Sequence, residues 1–422
     1  LLTKGPRGTN DFLPNEIEKW QFVEEIIRDL CTQYGYREIR TPIFEHTELF
    51  LRGVGDTTDI VEKEMYTFED RGERSLTLRP EGTAPTVRAF LQHKLYADAQ
   101  PIKLYYIGPM FRYDRPQAGR YRQFHQFGIE LFGTNHPSSD AEVISVAMEF
   151  YQRLGLKGLE VKLNSVGCPQ CRQDHKAQLQ EYLQVKMSEL CSNCQGRFDR
   201  NPMRILDCKS ENCSELVADA PTTTRCLCSQ CSSHFEDVKK YLDLLEISYT
   251  VDEKLVRGLD YYTNTAFEIV YQGIGAQSSI GGGGRYNGLV EQMGGNPVPA
   301  IGFGLGLERL LLSLEHQNIE IPTKVTCEAY IVTLGEKAEA TGVKILNDMR
   351  KQGIRGDKDY TGKSFKGQLK LADKKGAKYA IIIGDNELEK GKVTIKNMGT
   401  GDQDNIKIDN LISFLIQARE EE

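Results

Sequence analysis

Apolar residues recur at helical spacing in Ile17, Trp20, Val23 and Ile27, which predicts a first helix over 16–33, stopped by Gly35. The stretch 40–44 contains Pro42, which biases its neighbour away from helix and lacks an amide donor, so it reads as extended. β-formers dominate 75–79 and 103–111, and 124–132 alternates apolar with polar residues. These predict strands of one antiparallel sheet, with turn-rich connectors at 70–73 and 115–119. A helix over 140–154 follows. Near Ser165 the texture changes: as far as Ser248, cysteine-bearing turns alternate with charged helical stretches, the mark of an inserted module. Strand character returns at 267–271, 279–284 and 300–306, ahead of an apolar helix over 307–314. Pro322 marks a further boundary. Beyond it, 327–334, 337–352, 354–357, 365–376, 379–384 and 393–396 alternate strand with helix, which argues for a compact α/β domain.

Composition narrows the class. With 422 residues, 39% hydrophobic and 27% charged, the chain suits a globular protein of about two to four domains. No apolar run is long enough to span a bilayer, and Lys4, Arg7 and Asp11 stand where a signal peptide needs its apolar centre, so membrane and secreted readings are poor. The net charge of −7 gives no global attraction to nucleic acid, so such a partner must meet a local basic patch. Nine of the eleven cysteines fall between Cys168 and Cys231. Without an export signal, this clustering points to metal or free thiols before disulfides.

Two phosphate-loop signals fail on spacing. Thr361, Gly362, Lys363 and Ser364 end like a P-loop, but Asp357 stands where its first glycine belongs; Gly302, Gly304 and Gly306 lack the third glycine of a dinucleotide fingerprint, which falls on Leu307. What remains is a set of arginines in unusual company. A strand ends in Arg112, a loop carries Arg115, Arg120 and Arg122, and the next strand begins Gln123, Phe124, His125, Gln126 and reaches Glu130. Guanidinium forks grip phosphate oxygens in pairs, and an aromatic ring offers a base a stacking face. Arg257 lies beside Gly258, Tyr261 and Tyr262; the glycines 281–284 allow close backbone approach to a ligand; Arg309 enters a leucine-rich helix.

Taken together, from Gly8, Thr9, Asn10 and Asp11 to the C-terminal domain, these residues closely resemble the histidyl-tRNA synthetase family of class II aminoacyl-tRNA synthetases. Residues 40–48 resemble the first class II motif, a dimer-forming helix and strand around Pro42; 111–130 resemble the second and 304–309 the third. The stretches 255–262 and 282–288 resemble the two histidine-specific signatures, with Asn287 where the family usually has aspartate. The resemblance implies an α+β fold: a class II antiparallel sheet flanked by helices over 1–164 and 249–322, an inserted Cys-rich module over 165–248, and an α/β anticodon-binding domain over 325–422. It also implies a cytoplasmic homodimer.

The implied reaction joins histidine to ATP as histidyl-adenylate, releasing pyrophosphate, and then passes the histidyl group to the terminal ribose of its tRNA, with no dedicated base. By resemblance Arg112 and Arg257 grip the α-phosphate from opposite sides, the latter where other class II enzymes use a metal ion. Arg309 and Arg122 hold the γ-phosphate end, with Mg²⁺ bridging phosphates; Asp114 accepts from the adenine amino group and Phe124 stacks on the ring. Glu81 and Thr83 take the α-amino group, Glu130 and Tyr262 the imidazole, with Gln126 and Tyr261 completing the pocket. The lysines 363, 366, 370, 374, 375 and 378, most of them three or four apart, form a candidate RNA-phosphate face. The alternative from another class is a synthetase-like regulatory subunit of histidine biosynthesis, which typically lacks the anticodon domain and breaks the histidine signatures.

The cysteines form three CxxC pairs, Cys168/Cys171, Cys191/Cys194 and Cys228/Cys231, and a looser one, Cys208/Cys213, with Cys226 extra. Four pairs suffice for two Cys₄ structural zinc sites; reduced thiols are the alternative.

Overall fold

The computed structural model describes all residues except 1, 2, 56, 57, 207, 209, 275–277, 323–326, 421 and 422. It divides into two compact units, Leu1–Ile321 and Pro322–Glu422. The sequence-based start of the last domain, Val325, lies outside the described residues.

In the first unit, α1 (Pro14–Gln33) buries Trp20, Val23, Ile27 and Leu30, the stripe its spacing foretold. It leads to the short strands β1 (Arg37–Glu38) and β2 (Phe44–His46), helix α2 (Thr47–Val54), strands β3 (Tyr66–Glu69) and β4 (Ser75–Leu78), and helix α3 (Thr83–Gln92). Two ten-residue strands follow, β5 (Ile102–Phe111) and β6 (Gln123–Phe132), then α4 (Pro137–Arg153) and β7 (Leu159–Ser165). The cysteine-rich segment is helical: α5 (Pro169–Gln184), α6 (Ser192–Arg197), α7 (Glu211–Leu216) and α8 (Ser229–Leu244). The sheet resumes with β8 (Tyr249–Val251), β9 (Thr263–Tyr271), β10 (Ser279–Arg285), helix α9 (Leu289–Gln292), β11 (Ala300–Gly306) and α10 (Leu307–His316).

The main sheet runs β1-β5-β6-β11-β10-β9-β7-β8. Its six inner strands pair antiparallel, while β1 and β8 join the edges in parallel. Helices α1 and α4 cover one face through Val143, Ile144, Ala147 and Phe150, packed with Phe127 and Ile129 of β6. One expectation is corrected: β4 does not join this sheet but forms a separate three-stranded one, β2-β4-β3. Residue alternation shows which faces are buried, not which strand is the neighbour, and the turn at Pro80–Gly82 carries the chain out of β4 into α3.

The second unit has a five-stranded sheet, β13-β12-β14-β15-β16, in which β12 (Ala329–Thr333), β13 (Gly356–Lys358) and β14 (Tyr379–Ile383) are parallel, and β15 (Lys392–Asn397) and β16 (Gln403–Lys407) antiparallel. Helices α11 (Glu336–Lys351), α12 (Phe365–Lys374), α13 (Asp385–Glu389) and α14 (Leu411–Glu420) accompany it. The strand expected at 354–357 is shifted to Gly356–Lys358, because Ile354 is buried as a core residue just ahead of the ladder.

Candidate active site

The sheet face opposite α4 carries a polar pocket centred on Glu130 of β6, which is 1% exposed. One carboxylate oxygen accepts from Thr83 Oγ1 at 2.7 Å and Tyr106 OH at 3.4 Å; the other accepts from Tyr286 OH. Burial pushes the Glu130 carboxyl up to about 8, although these hydrogen bonds oppose the rise. The phenols of Tyr106 and Tyr286 are themselves pushed well up by burial, so they stay protonated and donate. Space for the carboxylate comes from the next strand: a Cβ at Gly302 would overlap Glu130 Oε2 and the Ile129 carbonyl. Only glycine fits there.

Glu81 lies alongside, its two oxygens accepting from the backbone amides of Thr83 and Ala84, both at 2.7 Å. The carboxylate thus closes the first turn of α3 and aligns Thr83 toward Glu130. Tyr261 and Tyr262 complete the wall, with ring centroids 4.8 Å apart and Tyr261 5.7 Å from Tyr286. Gln126 stands opposite Gly306 in the β6–β11 register, toward the open end of the same sheet.

Two arginines flank this pocket. Arg112, at the end of β5, donates through Nε to the Pro80 carbonyl at 2.8 Å and holds its guanidinium 5.3 Å from the Phe124 ring centroid. Burial lowers its pKa, and Glu64 and Glu81 act against that. Arg257 lies over β10, where a Cβ at Gly282 would collide with it, and its Nη1 donates to Glu268 Oε1 at 2.8 Å. Its pKa is raised because Tyr262, Glu268 and Tyr261 outweigh the cost of burial. Arg257 Nε is buried and meets no acceptor among the described residues. Tyr261 lies within the electrostatic reach of both Arg112 and Arg257.

At the outer end, Arg309 in the first turn of α10 donates to the Ser279 carbonyl and experiences the charges of Arg120 and Glu268. Arg122 stacks its guanidinium 4.0 Å from the Tyr113 ring centroid and donates through Nε to the Asp114 carbonyl at 3.2 Å. The Asp114 carboxylate pairs with Arg120. Sequence reasoning passed over Tyr106 and gave Tyr286, Arg120 and Glu308 no role of their own. Glu308 receives the His125 amide at 2.8 Å and so ties α10 to the start of β6. The glycines at 128 and 302, on strands flanking large polar side chains, are the signal that could have found the Glu130 pocket.

The eight paired cysteines gather into two clusters, Cys168/Cys171/Cys228/Cys231 and Cys191/Cys194/Cys208/Cys213, with all Sγ atoms of each within 4.8 Å of one another. The Cys228 amide donates to Cys171 Sγ at 3.1 Å and the Cys191 amide to Cys213 Sγ at 3.2 Å. The lysine face is smaller than expected. Lys366, Lys370 and Lys374 line the exposed side of α12, whereas Lys363 precedes the helix and Lys375 and Lys378 follow it, Lys375 in an ion pair with Asp357.

A six-stranded antiparallel sheet bearing an arginine-flanked polar pocket is the architecture of a class II aminoacyl-tRNA synthetase. The chain matches the Histidyl-tRNA synthetase family model over residues 8–310 and the Anticodon binding domain model over 328–418. It is 60% identical, over 99% of its length and 100% of the relative's, to a histidine–tRNA ligase of Desulforamulus reducens, and 59% identical to that of Pelotomaculum thermopropionicum over 98% of each chain. The crystal structure of apo histidyl-tRNA synthetase from S. aureus superimposes with a TM-score of 0.85 at 46% identity, covering 98% of this chain and 99% of that one. The chain belongs to the histidyl-tRNA synthetase family.

Proposed function

We propose that this protein ligates L-histidine to its tRNA in two steps, by way of histidyl-adenylate, in the cleft between Arg112 and Arg257. In the first step the histidine carboxylate attacks the α-phosphorus of ATP; the bond to the bridging oxygen breaks and pyrophosphate leaves. Both reactants are anionic, so the barrier is largely electrostatic. Arg112 and Arg257 meet the charge that grows on the α-phosphate oxygens, Arg257 with a buried Nε otherwise lacking an acceptor. That orphaned donor is the observation that carries the reading. Glu81 and Thr83 would orient the α-amino group, and Glu130 with Tyr262, Tyr261 and Gln126 the imidazole. Phe124 and Asp114 would receive the adenine, and Arg309 and Arg122 the distal phosphates, Arg122 after leaving the Tyr113 ring. Mg²⁺ would arrive with ATP and neutralise phosphate charge. In the second step the ribose hydroxyl of the tRNA attacks the adenylate carbonyl carbon; the ester bond forms, the bond from that carbon to the phosphate oxygen breaks, and AMP leaves, the hydroxyl proton passing to its phosphate or to water.

Histidine alone among the amino acids should support ATP–pyrophosphate exchange, and Arg257→Ala should lower kcat about 10²–10³-fold, the usual cost of one donor aimed at developing charge. Exchange driven by another amino acid would overturn the assignment. The regulatory alternative is weakened by the 328–418 match, since that class typically lacks the domain.

We further assign the catalytic role to 1–164 with 249–322, the insertion to 165–248 and tRNA recognition to 325–422, with Lys366, Lys370 and Lys374 meeting phosphates. A homodimer through 40–48 is favoured by the exposed Ile43 and Phe44. A cytoplasmic site suits the thiols, which are unpaired as disulfides. Each Cys₄ cluster is assigned one structural zinc ion. A tetrahedral thiolate site with Zn–S bonds of about 2.3 Å has S···S edges of about 3.8 Å. The separations here are 3.6 Å for Cys168–Cys171 and 3.9 Å for Cys191–Cys208, far beyond a disulfide bond. No helix among the described residues is long and apolar enough to cross a membrane.

A further inference from the structure

The loop 255–262, which carries Arg257, Tyr261 and Tyr262, has neither helix nor strand structure. Its carbonyls are held instead by side chains. Asn164 Nδ2 donates to the Leu255 carbonyl at 2.9 Å; Arg204 Nη1 donates to that of Arg257 at 3.2 Å; Arg172 Nη1 donates to those of Asp260 at 3.2 Å and Tyr262 at 3.1 Å. Both arginines belong to the cysteine-rich segment. Arg172 directly follows Cys171 on α5, a ligand of the first cluster, and its pKa is lowered by burial. Cys231 Sγ, of the same cluster, lies 3.5 Å from the Asn264 side-chain amide, two residues past Tyr262.

The second cluster does the same from the other side. Cys194 and Cys208 bracket a segment in which Asn201 Nδ2 donates to Asp260 Oδ1 at 2.8 Å, and Arg197 and Arg204 both reach Asp59 at 3.1 and 3.3 Å. A cavity of about 30 Å³ lies between this segment and the loop. The helices α6 and α7 that present the second cluster have six residues each, too short to hold their geometry by helix propagation alone. Whatever ties the four thiols together therefore fixes where Arg204 and Asn201 stand.

We propose that the two metal-filled cysteine clusters position the 255–262 loop through Arg172 and Arg204, so that histidine activation depends on zinc that never touches a substrate. The proposal rests on the zinc assignment above. Arg172 and Arg204 are positioning residues: they set the carbonyls from which Arg257 and Tyr262 project, and errors of about 1 Å at such groups cost up to about 100-fold in rate.

The test uses the full chain purified without chelator. Metal analysis should find two zinc ions per chain, one for each cluster. Chelation that removes both should raise the KM for histidine in pyrophosphate exchange about tenfold or more, and zinc added back should restore it. Arg172→Gln should keep both zinc ions and the melting temperature, raise the histidine KM by a similar factor with the ATP KM little changed, and be partly rescued in Arg172→Lys. Two zinc ions per chain with an unchanged histidine KM after stripping, or in Arg172→Gln, overturns the coupling and leaves the metal sites standing. Less than one zinc per chain overturns the metal assignment and the coupling with it. Failure of the untreated protein to exchange with histidine would instead sink the proposed reaction.

Discussion

Glu130 is held between burial, which keeps its proton, and hydroxyl donors, which release it; the balance leaves the carboxyl with a pKa of about 8. A neutral Glu130 can pass its proton to a neutral imidazole and hold the resulting imidazolium as an ion pair. Below about 6.5 free histidine is already charged and must give up a proton to bind; above about 8 the pocket has lost the proton it would share. The KM for histidine should therefore be lowest between these limits and rise on both sides. In Glu130→Gln the alkaline rise should vanish, which a pH series of KM checks. The same group acts on stability with the opposite sign to a salt-bridged carboxylate. Between the ordinary carboxyl value of 4.5 and about 8, the unfolded chain ionises Glu130 while the folded one does not, so stability falls as pH rises through that window and is level above it. Melting curves of Glu130→Gln should lack that decline.

At the level of elements, the small sheet β2-β4-β3 inverts the usual alternation. Glu45 of β2 points inward to an ion pair with Arg88, while Phe44 is 51% exposed and meets the 43% exposed Phe68, ring centroids 6.4 Å apart. An outward aromatic pair over an inward ion pair suits a strand that faces a second copy. If two copies of the chain pair through this strand, Phe44→Asp should yield monomers where the unaltered protein gives a dimer in light scattering. In the second unit α12 buries Gln368 and Ala372 and turns Lys366, Lys370 and Lys374 outward. If these meet RNA phosphates, changing Lys370 and Lys374 to Gln should reduce the slope of log affinity for tRNA against log salt by about 1.4, at ~0.7 per lost contact. An unchanged slope would place the RNA elsewhere.

The molecule as a whole comprises two units with separate hydrophobic cores, one built on β5, β6, α1 and α4, the other on Ile331, Ile345, Ile381 and Val393. The pocket residues from Glu81 to Arg309 all lie in the first. A protein ending at Ile321 should thus keep histidine-dependent pyrophosphate exchange but charge tRNA about tenfold or more slowly, because the loss of contacts worth only ~1.4 kcal/mol has that effect on binding. Equal loss of both activities would show that the first unit needs the second to fold.

The amino-acid order by itself determined most elements: Trp20, Val23 and Ile27 mark a helix and 124–132 a strand, because burial of one face imposes a local period on the chain. It also marked Arg112, Arg257 and Arg309 by their glycine and aromatic neighbours, and showed that cysteines come in pairs. Only the tertiary structure decided which pairs meet: Cys168/Cys171 join the distant Cys228/Cys231, and Cys191/Cys194 join Cys208/Cys213 inside that span. It alone put β4 in a second sheet, turned Arg122 onto Tyr113, drew Tyr106 and Tyr286 around Glu130, and brought Arg172 to the Tyr262 carbonyl. Local patterns record what each residue asks of its immediate neighbours. Partners on different elements are chosen by how whole elements pack, and one chain's periodicity carries no record of that choice.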